Sequence, residues 1–357
     1  MNKFWSEMVN RTEPYVPGEQ LNDPDIIKLN TNENPYPPSP RVKEAIVEEL
    51  DGKLRLYPSP TADGLRLAIA DTYDVSPDEV FVGNGSDEVL AFSFMAFFHP
   101  DKPIRFPNIT YSFYPVYAKL FNIPYEIVRV NGDFTLPAES FFGSEGGVIM
   151  PNPNAPTSLY MELSSIETIL VNNPDRVVII DEAYIDFATA SAVELVRLYE
   201  NLLVIQTTSK SRSLAGMRVG YAIGHPDLIE ALVRIKDSFN SYTVDRLAIA
   251  GATAAFKDRE YFNSTVLKIT ATRNRLIHTL KEMGFHVLPS QANFVFAKHT
   301  DKAAAEIYVE LKNAGILVRH FNQPEIDNYL RISVGTDEQM DSLLRKLEQL
   351  LAVDSHI

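Results

Sequence analysis

Seven short apolar runs punctuate the middle of the chain, at Val80–Val82, Ile104–Phe106, Tyr125–Val128, Gly147–Met150, Val177–Ile180, Leu203–Gln206 and Val219–Ile223. Most are apolar at every position rather than every second one, the pattern of strands covered on both faces. Helical or loop segments separate them, and that alternation predicts a mostly parallel, doubly wound α/β sheet. Upstream, apolar residues at helical spacing predict helices from about Pro40 to Asp51 and from Thr61 to Tyr73.

The flanks differ in pattern. The run Asn30-Thr-Asn-Glu-Asn-Pro-Tyr-Pro-Pro38 reads as an extended arm with turns, covering residues 1–40. A long helical stretch from about Asp227 past Ser238 toward Phe256, resuming through Arg273 to Met283, bridges to a second unit. The tail predicts strands Asn293–Ala297, Ile316–Arg319 and Tyr329–Ser333 and helices Ala303–Ala314 and Asp337–Ala352, an α+β pattern. The division expected is therefore an arm at 1–40, a large domain at 41–240 and a small domain at 241–357. A chain of 357 residues is long for one hydrophobic core, which favours two.

Composition narrows the chemistry. The absence of cysteine excludes disulfides, thiolate nucleophiles, Fe–S clusters and thiolate zinc sites. Seven scattered histidines offer no i, i+4 metal pair, so no metal site is expected. A net charge of −14 without a Lys/Arg-rich stretch argues against nucleic acid. The longest apolar run, Val89–Phe98, is too short to span a bilayer and the N-terminus has no apolar signal core, so a cytoplasmic protein with no membrane partner is expected.

Four stretches carry chemistry. Gly83-Asn-Gly-Ser-Asp-Glu88 joins a strand to a helix, where glycines admit a phosphate and free N–H groups bind it; read alone, a turn with Ser86 or Asp87 as N-cap is favoured, and the presence of Lys210 in the same chain turns the reading to phosphate. Asp181 closes an apolar strand, where open α/β sheets place their ligand crevice. Lys210 follows another strand in Gln206-Thr-Thr-Ser-Lys-Ser-Arg-Ser-Leu-Ala-Gly-Met-Arg218, among small polar residues that do not resemble a solvated helix face. Arg218 supplies a planar fork suited to phosphate. A lysine able to form a Schiff base, a carboxylate for a pyridinium nitrogen and an arginine for a phosphate are what pyridoxal 5′-phosphate (PLP) requires of a protein.

The ordered set GNGSDE, PNPNAPTS, DEAY, SKSRSLAGMRVGY and LRISVG resembles the fold-type I, class II PLP-dependent aminotransferases, and among them the histidinol-phosphate aminotransferases. The resemblance implies a large domain with a seven-stranded sheet, a smaller α+β domain and a homodimer with shared active sites. Residue by residue, it implies that Lys210 binds the cofactor covalently, Asp181 pairs with its ring nitrogen, Asn154 and Tyr184 meet its phenolic oxygen, and Tyr111 stacks on the ring. Gly85, Ser86, Asp87 through its backbone, Ser209 and Arg218 would surround the phosphate, with Tyr57 reaching it from the partner subunit. Tyr15, Asn32, Arg319 and Arg331 would form the substrate's anion pocket, and Asn293 is a weaker candidate beside them. Two positions depart from the common pattern: Arg212, where an aromatic is usual and which would add a guanidinium near the phosphate, and Ser158 in place of a glycine.

The activity expected is amino transfer from L-histidinol phosphate to 2-oxoglutarate, as in histidine biosynthesis. Aromatic amino-acid transamination and threonine-phosphate decarboxylation share most of the pattern, and a PLP-fold binding protein without catalysis is the non-enzymatic alternative.

Overall fold

The computed structural model describes residues 3–15, 18–19 and 25–352; the remaining positions of the expected arm and of the C-terminal end lie outside the described residues. The arm begins with α1 (Glu7–Arg11), capped by Ser6 and docked through Arg11 onto the carbonyls of Lys119 and Leu120. It continues through β1 (Ile27–Lys28) to α2 (Pro40–Glu49) and α3 (Asp63–Tyr73). Ser39 starts α2 by accepting from the Arg41 N–H, and Pro40 fills a first-turn position whose N–H has no helical partner.

The central sheet contains β2 (Val80–Gly83), β3 (Ile104–Pro107), β4 (Tyr125–Val128), β5 (Val148–Pro151), β6 (Val178–Asp181), β7 (Leu202–Thr207) and β8 (Gly220–Gly224), in the order β2-β8-β7-β6-β5-β3-β4. Only β8 runs antiparallel to its neighbours. Interleaved are α4 (Gly85–Phe97), α5 (Phe113–Leu120) and α6 (Leu163–Val171). Period-two alternation splits β2, β5, β6, β7 and β8 between two cores, whereas the edge strand β4, expected to be buried, exposes all but Val128. Val178, Ile180, Leu202 and Val204 join Val42, Leu65 and Ile166 on one face, while Ile179, Leu203 and Ile205 join Leu90, Phe94 and Tyr114 on the other. At about 1.5–3 kcal/mol for each fully buried aliphatic side chain, this double burial is what makes continuous apolar runs stable as strands.

The expected long helix is three: α7 (Pro226–Phe239), α8 (Arg246–Lys257) and α9 (Arg259–Glu282). Asp245 and Asp258 each cap a new start, by accepting from the N–H groups of Ala248 and Tyr261. The face of α8 made by Ala248, Ala252, Ala255 and Phe256 belongs to the large core, and the small core takes up the chain later in α9, at Leu276 and Leu280. The expected boundary at residue 240 thus precedes a helix that shares the large core.

The second unit holds β9 (Phe285–Val287), β10 (Phe294–His299), α10 (Ala304–Asn313), β11 (Ile316–Leu317), β12 (Arg319–His320), β13 (Leu330–Ser333) and α11 (Asp337–Ala352). An antiparallel sheet has the order β12-β13-β10-β9. The expected strand Ile316–Arg319 divides at Val318, because β11 pairs in parallel with β1 of the arm whereas β12 turns to β13. Among the described residues no helix is long and apolar enough to cross a membrane.

Candidate active site

A cavity of about 400 Å³ opens at the C-terminal ends of β5, β6 and β7 and is closed from above by the arm and the small domain. Its wall includes Lys210, Asp181, Tyr184, Ser86, Asp87, Tyr111, Ser209 and Arg218 from the large domain, Tyr15 and Asn32 from the arm, and Arg319 and Arg331 from the small domain. Such a volume is ordinary for a small-molecule site.

Asp181 ends β6 almost wholly buried. Its Oδ2 accepts from Tyr114 Oη at 2.9 Å, while Oδ1 is buried without a partner. Burial, opposed by the Tyr114 hydrogen bond, raises its pKa to about 7. An orphaned carboxylate oxygen is costly in a protein interior, and a protonated ring nitrogen is the kind of donor that would satisfy it.

Lys210 lies three residues beyond the end of β7, and its Nζ donates to the carbonyl of Thr31 at 3.0 Å. Burial first, and the charge of Arg331 second, lower its pKa to about 8. A free amine is therefore accessible near neutrality, which both a Schiff base and a proton carrier need. Asn34 anchors the same residue from the arm, donating its amide to the Lys210 and Ser211 carbonyls at 2.9 and 3.1 Å.

The start of α4 and Arg218 form a cup at the cavity wall. Gly85 has φ +79°, and a Cβ there would lie 2.5 Å from the Arg218 guanidinium; a Cβ at Gly220 would lie 2.2 Å from the Ser86 nitrogen. Both glycines are needed for β8, α4 and Arg218 to converge. First-turn N–H groups of a helix lack intrahelical acceptors and bind anions. Arg218 pairs with the Asp87 carboxylate at 3.2 Å, and Tyr111 donates to that same carboxylate at 2.8 Å. The Asp87 side chain, expected to contribute only its backbone, thus organises the cup.

In the small domain, Arg319 and Arg331 are direct cross-strand partners on β12 and β13. Like charges in that position repel, so an anion between them relieves the strain. Arg331 donates to the Asn30 carbonyl at 2.8 Å and keeps Nε buried without a partner. Burial pushes its pKa below the usual arginine value.

Other expected residues fall elsewhere. Asn154 lines a neighbouring cavity of about 210 Å³, with its amide donating to the Ile109 carbonyl and Thr157 Oγ1 and its Oδ1 buried without a partner. Tyr57 is 77% exposed, stacked 4.4 Å from Tyr242 and outside this cavity. Ser158 is buried with φ 64°, where a glycine would be unstrained. Arg212 corrects the expectation of a second guanidinium at the phosphate. It points away, between the rings of Phe256 and Phe262 at 3.8 and 4.1 Å, and donates to the Ala255 carbonyl.

Sequence reasoning missed Tyr114, whose place in the helical apolar pattern reads as core, and the arm carbonyls of Asn30 and Thr31, which leave no trace in residue type. It also missed Phe321, Gln323 and Ile326, which line the small-domain wall.

The profile describing "Aminotransferase class I and II" matches residues 24–347. "Histidinol-phosphate aminotransferase 1" of Oceanobacillus iheyensis is 59% identical over 351 residues, covering 98% of this chain and 99% of its own. The histidinol-phosphate aminotransferase of Clostridium acetobutylicum is 58% identical, covering 99% and 100%. Among solved structures, histidinol-phosphate aminotransferase from Sinorhizobium meliloti, in complex with pyridoxal-5′-phosphate, superimposes with a TM-score of 0.89 over 99% of both chains at 23% identity, a likeness of fold. With its sheet order, its cavity at the strand ends and a family match across nearly its whole length, the chain belongs to the class I and II aminotransferases.

Proposed function

We propose that this chain is a PLP-dependent aminotransferase that moves the amino group of L-histidinol phosphate to 2-oxoglutarate, giving imidazole acetol phosphate and L-glutamate. The observation that carries the reading is the buried, unpartnered Asp181 oxygen in the same cavity as an amine of lowered pKa. The naming of relatives at 58–59% identity selects this donor over phenylalanine or threonine phosphate.

Bound PLP supplies an electron sink for the charge left when the substrate Cα loses its proton. Asp181 would hold the ring-nitrogen proton that keeps that sink effective. Lys210 Nζ would anchor the cofactor, take the proton from the substrate Cα and deliver it to the cofactor's C4′. The α4 cup, Ser209 and Arg218 would hold the phosphate, Tyr111 the ring face and Tyr184 the phenolic oxygen. Asn154 would join Tyr184 there once its amide leaves Thr157. Arg331, with Arg319 and Tyr15, would grip the phosphate of the amino donor in one half reaction and a carboxylate of the oxo acid in the other, while Phe321 and Ile326 wall the space for the imidazole.

The homodimer belongs to the same reading. Tyr57 sits among exposed Leu50, Leu54 and Leu56, an apolar surface suited to a second copy. A cytoplasmic setting follows from the substrates, since phosphorylated and dicarboxylic anions do not cross membranes unaided.

Single-turnover spectroscopy on the PLP form tests the assignment. L-Histidinol phosphate should convert the bound cofactor to its amino form far faster than L-phenylalanine or L-threonine phosphate. Faster conversion by phenylalanine would make it an aromatic aminotransferase, and carbon dioxide release from threonine phosphate a decarboxylase.

A further inference from the structure

Asn32 occupies the meeting point of arm, small domain and large domain. It is 1% exposed and left-handed, with φ 57°. Its backbone N–H donates to Ser333 Oγ at 2.9 Å, and Ser333 Oγ lies 3.0 Å from Asn32 Oδ1. Its Nδ2 donates to Tyr184 Oη at 3.0 Å, and its carbonyl accepts from Asn293 Nδ2 at 2.9 Å.

Proton accounting gives this cluster a direction. Ser333 Oγ already accepts from the Asn32 backbone, and among the described residues the acceptor within its reach is Asn32 Oδ1, so its hydrogen goes there. The amide is thereby oriented with Nδ2 toward Tyr184. Tyr184 must accept at its oxygen, and its own hydrogen, with no acceptor among the described residues, faces the cavity.

We propose that Ser333 and Asn32 are positioning residues that fix the Tyr184 hydroxyl as a hydrogen-bond donor toward the cofactor's phenolic oxygen. The inference rests on the cofactor reading above. Burial holds the Tyr184 hydroxyl above the usual tyrosine pKa, so it keeps the proton it donates. Accepting from Asn32 strengthens that donation, because hydrogen bonds in a chain polarise one another.

The test is spectroscopic. The visible band of the bound cofactor titrates with the proton shared between Lys210 Nζ and the phenolic oxygen. A hydrogen bond donated to that oxygen stabilises its full negative charge and lowers the pH at which the proton leaves. Without the Ser333 hydroxyl the amide is free to turn, and Tyr184 can donate back to Asn32 instead. Ser333→Ala should raise the midpoint by about one pH unit, a tenfold shift in proton affinity. Ser333→Thr, which keeps the hydroxyl, should restore it, and Ser333→Ala added to Tyr184→Phe should give no further rise. If Ser333→Ala does not fold, Ser333→Cys, with its weaker donor, is titrated in its place. A midpoint equal to wild type, or an effect additive with Tyr184→Phe, overturns the relay while leaving the cofactor site intact. A wild-type protein that gains no visible band with PLP overturns the site itself.

Discussion

Lys210 and Asp181 line one cavity, and proton affinity is its most sensitive property. Burial raises Asp181 from 3.8 to about 7 and its neighbour Glu182 from 4.5 to about 8. A carboxyl whose folded pKa is raised stabilises fully below its unfolded value, and that stability is lost as pH rises through the folded value. The lysine works the other way. Its pKa falls from 10.5 to about 8, so its contribution is present above 10.5 and lost as pH falls through about 8. Calorimetry of cofactor-free protein should show the unfolding temperature falling from about pH 4 to 8 and recovering above it. Asp181→Asn should flatten the first limb below about pH 7, and Lys210→Ala the second. In the loaded enzyme Lys210→Ala should abolish turnover, since anchor and proton carrier are lost together. Arg331→Lys keeps the charge but loses the fork, and should raise KM for the phosphorylated donor by about 30-fold or more, on the scale of 2 kcal/mol for a buried charged pair.

Elements carry the contacts that residue type conceals. Arg212 ties the Lys210 loop to the α8–α9 corner through two aromatic rings and one carbonyl. Arg212→Ala should cost about 2–4 kcal/mol in denaturant unfolding, from lost packing and cation–π contact, while leaving the cofactor spectrum unchanged. Gly220→Ala should do the reverse, weakening PLP binding by forcing β8 away from the first turn of α4. The central strands were legible because both-face burial writes an unbroken apolar run, as in Val178-Ile-Ile180. Strand β9 was not, because Phe285-His-Val287 is too short to show a period and follows a long helix. The split at Val318 depends on an arm strand some 290 residues away, which no local pattern encodes. Lys210 was readable from its place after β7, Asp181 from closing β6, and Arg218 from its guanidinium downstream of the lysine; the structure brings all three to one cavity. Where Arg212 points was not, since the rings of Phe256 and Phe262 that hold it come from α8 and α9, far along the chain.

At the scale of the whole molecule, Tyr57 has no role in its own chain's cavity, so the proposed assembly makes a direct prediction. Light scattering should give twice the chain mass. Co-expressing Lys210→Ala with Tyr57→Ala chains should restore about a quarter of the sites, because mixed dimers pair one intact lysine with one intact tyrosine. The clasp between Asn32 and Ser333 has a further consequence, in time rather than in space. The two residues are 301 positions apart. At about 5–20 residues per second of synthesis, the arm leaves the ribosome roughly 15–60 s before the strand it closes on exists. Until then the cavity lacks its third wall, and an interrupted chain never acquires it. Retention of cofactor thus doubles as a record that translation reached the final strand.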